Sequence, residues 1–186
     1  MRRISVKFFM VAALIIAVLP SAGISASAAP KAPVGDSYFF DFGLTVKPWS
    51  PAADRIAVTE HTLVLKEDNR MFGGTYAALT TAEPGMVWMT HIVPAGKTNM
   101  ARVSFIAKSF WGKTIVPVVY IASTKPIGTT GFKPVAAVLG TNWTGYSLEV
   151  PAKGDFVVVC IGYKTDNSAW AGIDNVNIEL FNQANN

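Results

Sequence analysis

The sequence predicts an all-β protein, a two-sheet antiparallel sandwich of about ten strands. Three observations carry that expectation. Short runs rich in β-branched and aromatic residues recur roughly every 10–15 residues, with turn chemistry between them. No stretch keeps the apolar period of 3.6 that a helix would need. The last third reads as three successive strands, Trp143–Val150, Gly154–Tyr163 and Ala171–Phe181, broken at Pro151–Gly154 and Asp166–Ser168.

Taken in order, Tyr38–Gly43 is a first strand, and Lys47-Pro48-Trp49-Ser50-Pro51 interrupts it because two prolines withdraw two backbone donors. Arg55–Thr59 and Thr62–Lys66 follow; their β-branched residues favour strands over a helix across 52–70. Thr75–Thr81 comes after Gly73-Gly74, and Glu83-Pro84-Gly85 is a turn. Met86–Val93 stops at Pro94. Ala101–Phe110 and Thr114–Ala122 read as a hairpin across Trp111-Gly112-Lys113, with Pro117 marking an edge strand or a bulge. Val135–Leu139 leads into the three closing strands.

Residues 1–28 are expected to be an export signal rather than part of the fold. Arg2, Arg3 and Lys7 precede an unbroken apolar run, Phe8–Leu19, and Ala26-Ser27-Ala28 presents the small residues of a cleavage site. The apolar run has 12 residues, short of the about 20 that a spanning helix needs. Cleavage after Ala28 leaves a flexible leader over 29–36 and one domain over 37–182. The destination is then outside the cell or the periplasm.

The full chain carries 16 basic and 12 acidic residues. Three of the basic ones lie in the signal, leaving 13 against 12. No Lys/Arg cluster remains to favour nucleic acid or a membrane surface as partner. The single Cys160 excludes a disulfide framework and is expected to act as a small core residue. Several strands are apolar on both faces: Met86–Met89, Ile115–Ala122, Val135–Leu139 and Val157–Ile161. Their outer faces must be covered by a long loop, or must meet a partner or a second copy of the chain.

Four short motifs, Phe40-Asp41-Phe42-Gly43, Gly73-Gly74-Thr75-Tyr76-Ala77-Ala78-Leu79, Trp143 and Ile173-Asp174-Asn175-Val176, occur in this order along the chain. Together they resemble the galactose-binding-like jelly-roll modules, a group of carbohydrate-binding and MAM-like adhesion domains of secreted proteins. The resemblance implies a jelly-roll sandwich that binds without catalysing. It also implies a structural calcium ion between a first-strand carboxylate and the closing aspartate, which is Asp174 here. The usual first-strand glutamate is replaced by Gly43, so Asp41, on the same strand face, is the candidate in its place. Asp174 otherwise accepts backbone hydrogen bonds in a turn.

Of the five tryptophans, Trp88 and Trp143 are expected in the core, and Trp49 should pin the leader loop to the end of the sandwich. Trp111, at the hairpin tip, and Trp170, after the Asn167-Ser168-Ala169 turn, are the expected glycan contacts. An indole face suits the C–H faces of a sugar, and Asn167 would supply hydrogen bonds. The rival role is a structural or adhesion protein that associates through its apolar sheet faces. Asn142-Trp143-Thr144 is a formal glycosylation sequon. His61 and His91 form no metal-binding spacing, Glu67-Asp68 reads as a solvated acidic pair, and no catalytic motif stands out.

Overall fold

Alternation and turn chemistry resolve into eleven strands and no helix among the described residues, which in this computed structural model are 35–55, 57–68, 74–112 and 114–183. The expected signal, most of the leader, Gly73 and Lys113 lie outside them. The strands are β1 (Ser37–Phe40), β2 (Ser50–Ala53), β3 (His61–Asp68), β4 (Gly74–Thr81), β5 (Gly85–Pro94) and β6 (Met100–Trp111). They continue as β7 (Ile115–Ala122), β8 (Lys133–Pro134), β9 (Thr144–Pro151), β10 (Phe156–Thr165) and β11 (Ala169–Phe181).

One sheet runs β3-β4-β11-β6-β9, with β1 also on β11, and the other runs β2-β5-β10-β7-β8. Every pairing is antiparallel. Strand β11 has β6 along one side; on its other side Ala169–Ile173 pairs with β4 and Val176–Glu179 with β1. The register slips between Asp174 and Asn177, where one neighbour gives way to the next.

The core lies between the sheets, where alternate residues such as Met89, Ile161 and Tyr163 meet Leu79, Val103 and Ile178. Each fully buried aliphatic side chain contributes about 1.5–3 kcal/mol. Tyr163 brings a polar atom into this layer, and its hydroxyl donates to the carbonyls of Leu79 and Ala169, both at 3.0 Å. Burial pushes its phenol pKa up.

Strand β10 is buried on both faces from Val157 to Tyr163. Its outer face forms a second cluster, with Val158 and Cys160 against Met86, Trp88, Val118 and Tyr120. Phe132 closes over it, its ring 4.9 Å from Trp88 and 5.4 Å from Tyr120. The Tyr120 hydroxyl donates to the Thr124 carbonyl at 2.8 Å and ties down the start of that covering loop. Loop cover thus accounts for the two-sided apolar pattern here. Cys160 is the core residue expected, its thiol pushed up to about 11 by burial.

Several expected elements are corrected. Ser50–Ala53 is a strand in spite of Pro51, because β2 lies at a sheet edge with β5 as its one neighbour. Arg55 and Ala57–Thr59 form a turn rather than a strand, held by Ala57 and Val58 amides donating to the Asp54 carbonyl and by the Glu83 carboxylate, which accepts from Thr59 and Glu60. Burying Val58 outweighs the β propensity of that run. Strands β6 and β7 belong to different sheets, so Trp111–Lys113 is a crossover and not a hairpin. Gly112 makes the bend at φ 121°, with Ile115 and Ala169 too close to admit a Cβ comfortably. Val135–Leu139 is irregular; it meets β7 through Val135 to Pro117 (3.0 Å) and Leu139 to Ile115 (2.6 Å) while Leu139 fills the core.

Trp49 is buried, while most of the leader it was expected to pin lies outside the described residues. The Trp49 ring lies 5.4 Å from Phe40 and 5.3 Å from His91, and Phe40 is 5.1 Å from His91. Removal from water lowers the His91 pKa below its usual 6.5.

Two predictions follow from this packing. A Cβ on Gly162 would lie 2.0 Å from the Val87 carbonyl oxygen, a backbone atom that cannot swing aside. Gly162→Ala should therefore cost about 1–3 kcal/mol in urea unfolding, as overpacking does; an unchanged midpoint would contradict the packing described. The depressed pKa of His91 means that its unfolded form takes up a proton first as pH falls. Its contribution is full above about 6.5 and lost on acidification through the lower folded value. Between pH 7 and 5 the wild type should therefore lose Tm relative to His91→Leu, read by thermal melts of both across that range.

Candidate ligand-binding surfaces

In β2, Ser50 lies opposite Thr90 and Ala52 opposite Trp88. Residues two apart in a strand share a face, so Ser50, Ala52, Trp88, Thr90 and Ile92 make one strip on the outside of the five-stranded sheet. A groove of about 800 Å³ runs over this strip, bounded by the turn at Asp54 and Arg55 and by the loop at Lys125, Pro126 and Gly128. That volume falls in the range of about 300–1,000 Å³ usual for ligand sites. Its floor is apolar, with Trp88 only 5% exposed and Ile92 at 41%. Hydroxyls of Ser50 and Thr90 and cationic side chains stand around it. Such a surface can hold the C–H face of a sugar and hydrogen-bond its hydroxyls.

Sequence reasoning missed this groove. It placed Trp88 in the core, which is correct, but β2 was read as a break, so the wall that makes the groove was absent. The alternation of Trp88, Thr90 and Ile92, with a hydroxyl between two large apolar residues, was the available signal.

The expected glycan contacts lie elsewhere. Trp111 ends β6 and is 66% exposed, directly opposite Trp170 in the β6–β11 register. Trp170 is half-buried and stacks on Phe110 at 5.0 Å and 20°. Asn167 is exposed in the β10–β11 turn, where its side-chain amide donates to Asp166 at 3.2 Å. The fold brings the two indoles together at one end of the six-stranded sheet, where β6 and β11 meet, and leaves Trp111 the open one.

Beneath that end, the outer face of the six-stranded sheet carries an aromatic cluster. Tyr76 stacks on Phe110 at 4.8 Å, and the half-buried Trp143 meets Tyr76 edge-on at 5.5 Å. Gly172 makes room for all three, since a Cβ there would come within 2.8 Å of each. Asp68 was expected to be solvated and is instead buried, because β3 runs two residues further than its apolar pattern suggested. Its carboxylate accepts from the Lys108 ammonium at 2.7 Å and from the Trp143 indole N–H at 2.9 Å. The ammonium also stands 4.1 Å over Phe110. Pairing of this kind is what allows both charges to leave water. Burial, then the Asp68 charge, raises the Tyr76 phenol to about 12.

Asp41 and Asp174 flank the place where β11 changes neighbours. Asp41 accepts from the Gly43 amide at 3.0 Å, and Asp174 from the Asn175 amide at 2.8 Å. Asn175 and Phe42 both sit at positive φ, near 49° and 48°. Burial pushes the Asp174 carboxyl up to about 6, and the nearby Asp41 charge adds to that rise. Two carboxylates therefore converge, but among the described residues no group of three or more His, Cys, Asp or Glu side chains does. The remaining oxygens of a calcium shell would have to be carbonyls or water. Also among the described residues, no helix is long and apolar enough to cross a membrane.

The sequence matches no protein-family model and no curated protein. The fold has clear structural relatives. The CBM22-1 xylan-binding domain of Paenibacillus barcinonensis Xyn10C aligns at 18% identity and a TM-score of 0.58, over 83% of this chain and 100% of that one. The K1 cleaved adhesin domain of Lys-gingipain from Porphyromonas gingivalis aligns at 11% and 0.55, over 82% and 100%. TmCBM61, solved with β-1,4-galactotriose, aligns at 15% and 0.51, over 77% and 94%. The chain therefore folds as the β-jelly-roll sandwich found in carbohydrate-binding modules.

Proposed function

We propose that this chain is an exported, non-catalytic glycan-binding module whose ligand lies in the groove over β2 and β5. The observation that carries the reading is the groove itself: an apolar strip edged by hydroxyls and charges, on a fold whose solved relatives include xylan- and galactan-oligosaccharide-binding domains. The sugar rings would rest on the strip, and Ser50 and Thr90 would bond their hydroxyls. The 66% exposure of Trp111 favours a second location for the same function, the Trp111–Trp170 end of the six-stranded sheet with Asn167 beside it. An assembly role through apolar sheet faces has less support, because the chain's own loop closes the outer face of β10.

Affinity electrophoresis in gels loaded with xylan, galactan or mixed-linkage glucan separates these readings. Retardation by one of them, lost in Ser50→Phe and kept in Trp111→Ala, is the expected outcome. The reverse pattern moves the site to the indole pair, and no retardation by any polysaccharide defeats the glycan reading.

We also assign Asp41 and Asp174 as the protein's side-chain ligands for a structural calcium ion, which would supply the positive charge that two converging carboxylates lack. At pH 7.5, millimolar calcium should raise the Tm of the wild type above its value in EDTA, and Asp174→Asn should abolish the difference. Equal wild-type midpoints with and without calcium would remove the ion from this reading.

A further inference from the structure

The charges around the groove point to a narrower ligand class, and this inference rests on the glycan-binding reading. Two permanent cations line it, from separate segments: Arg55 on the turn after β2 and Lys125 on the loop after β7. Both are exposed. Neither takes part in the ion pairs among the described residues, which join Arg102 to Glu149 and Glu179, and Lys108 to Asp68. Asp54 is the one carboxylate among the lining residues, and it is engaged within the protein. His61 and His91 complete the titratable set and add no negative charge at any pH.

The excess of positive charge is local. Outside the expected signal the chain carries 13 basic and 12 acidic residues, close to balance. A concave surface with apolar walls focuses the field of such charges on whatever enters it. An arginine fork pairs with a planar carboxylate through two parallel hydrogen bonds, and a lysine adds a point charge. A uronic acid unit has the matching features: a flat C–H face for the strip at Ala52, Trp88 and Ile92, hydroxyls for Ser50 and Thr90, and a carboxylate at the ring edge.

We infer that the groove selects carboxylated glycans, polysaccharides bearing uronic acid units, over neutral ones. Arg55 and Lys125 are then the specificity-determining residues.

The test uses isothermal titration of the protein with glucuronoxylan and polygalacturonate oligosaccharides, against unsubstituted xylan and galactan oligosaccharides of equal length. Dextran sulfate serves as a polyanion without carboxylates. Tighter binding of a uronate ligand is expected, weakened by raising NaCl from 50 to 500 mM as screening requires. Arg55→Gln and Lys125→Gln should each reduce uronate affinity about tenfold, as loss of a charge-assisted hydrogen bond does. Both should leave neutral-ligand affinity and Tm unchanged. Equal binding of neutral and acidic oligosaccharides, insensitive to salt and to both variants, overturns the uronate inference and leaves the glycan reading standing. Dextran sulfate binding as tightly as the uronates overturns it too, because the attraction is then charge alone. No binding of any saccharide ends both readings together.

Discussion

Strand β10 has no solvent face, and much of the five-stranded sheet is arranged around that fact. A strand buried on both sides must be apolar at consecutive positions, which is why Val157–Ile161 does not alternate. Its inner side chains join the main core. Its outer ones need a second cover, which the chain supplies by running from Thr124 to Phe132 back across the sheet. That cover stops short of β2 and the outer half of β5, and the uncovered remainder is the groove. The ligand surface is thus the part of one apolar face that the loop leaves open.

The six-stranded sheet solves the opposite problem, keeping charge and aromatic surface together outside the core. Arg102 links Glu149 and Glu179 across three strands on an exposed face, where such pairs are worth little individually. Asp68 and Lys108 sit deeper, each satisfied by more than its ionic partner: an indole N–H for the carboxylate and an aromatic face for the ammonium. Asp41 and Asp174 differ: burial raises the Asp174 pKa, and the like charge of Asp41 adds to that rise. A bound cation would relieve that repulsion and favour the ionised form of both.

Much of the fold was legible because sandwich strands obey local rules. Met86–Val93 and the closing strands carry β-branched and aromatic runs with clear stops, and they fall where expected. The failures share a cause: the deciding contact was distant in sequence. Ser50–Ala53 becomes a strand because β5 offers an edge that tolerates Pro51. The turn after Asp54 is closed at its far end by Glu83, 24 residues from Thr59, whose amide donates to it. Trp111-Gly112-Lys113 looks locally like a hairpin, and only the sheet assignments reveal a crossover. The site suffered most from this, since the β2 wall of the groove comes from a segment expected to be irregular. Trp111 is exposed as expected, although the hairpin from which its exposure was expected is a crossover.

The placement of β11 bears on when the protein can fold. It is the last of the described strands in sequence and an interior member of its sheet, and it supplies neighbours to β4, β6 and β1 alike. The Ser37 hydroxyl, for instance, donates to Asn177 across 140 residues. While residues 169–181 are still being made, at about 5–20 residues per second, that sheet has no centre and β1 has no partner. Such non-local closure is also intrinsically slow, taking milliseconds to seconds. A nascent chain built this way keeps that sheet open until β11 has been made. For a protein threaded unfolded through a membrane, as the proposed export requires, late closure leaves the translocation machinery a substrate that has not yet locked.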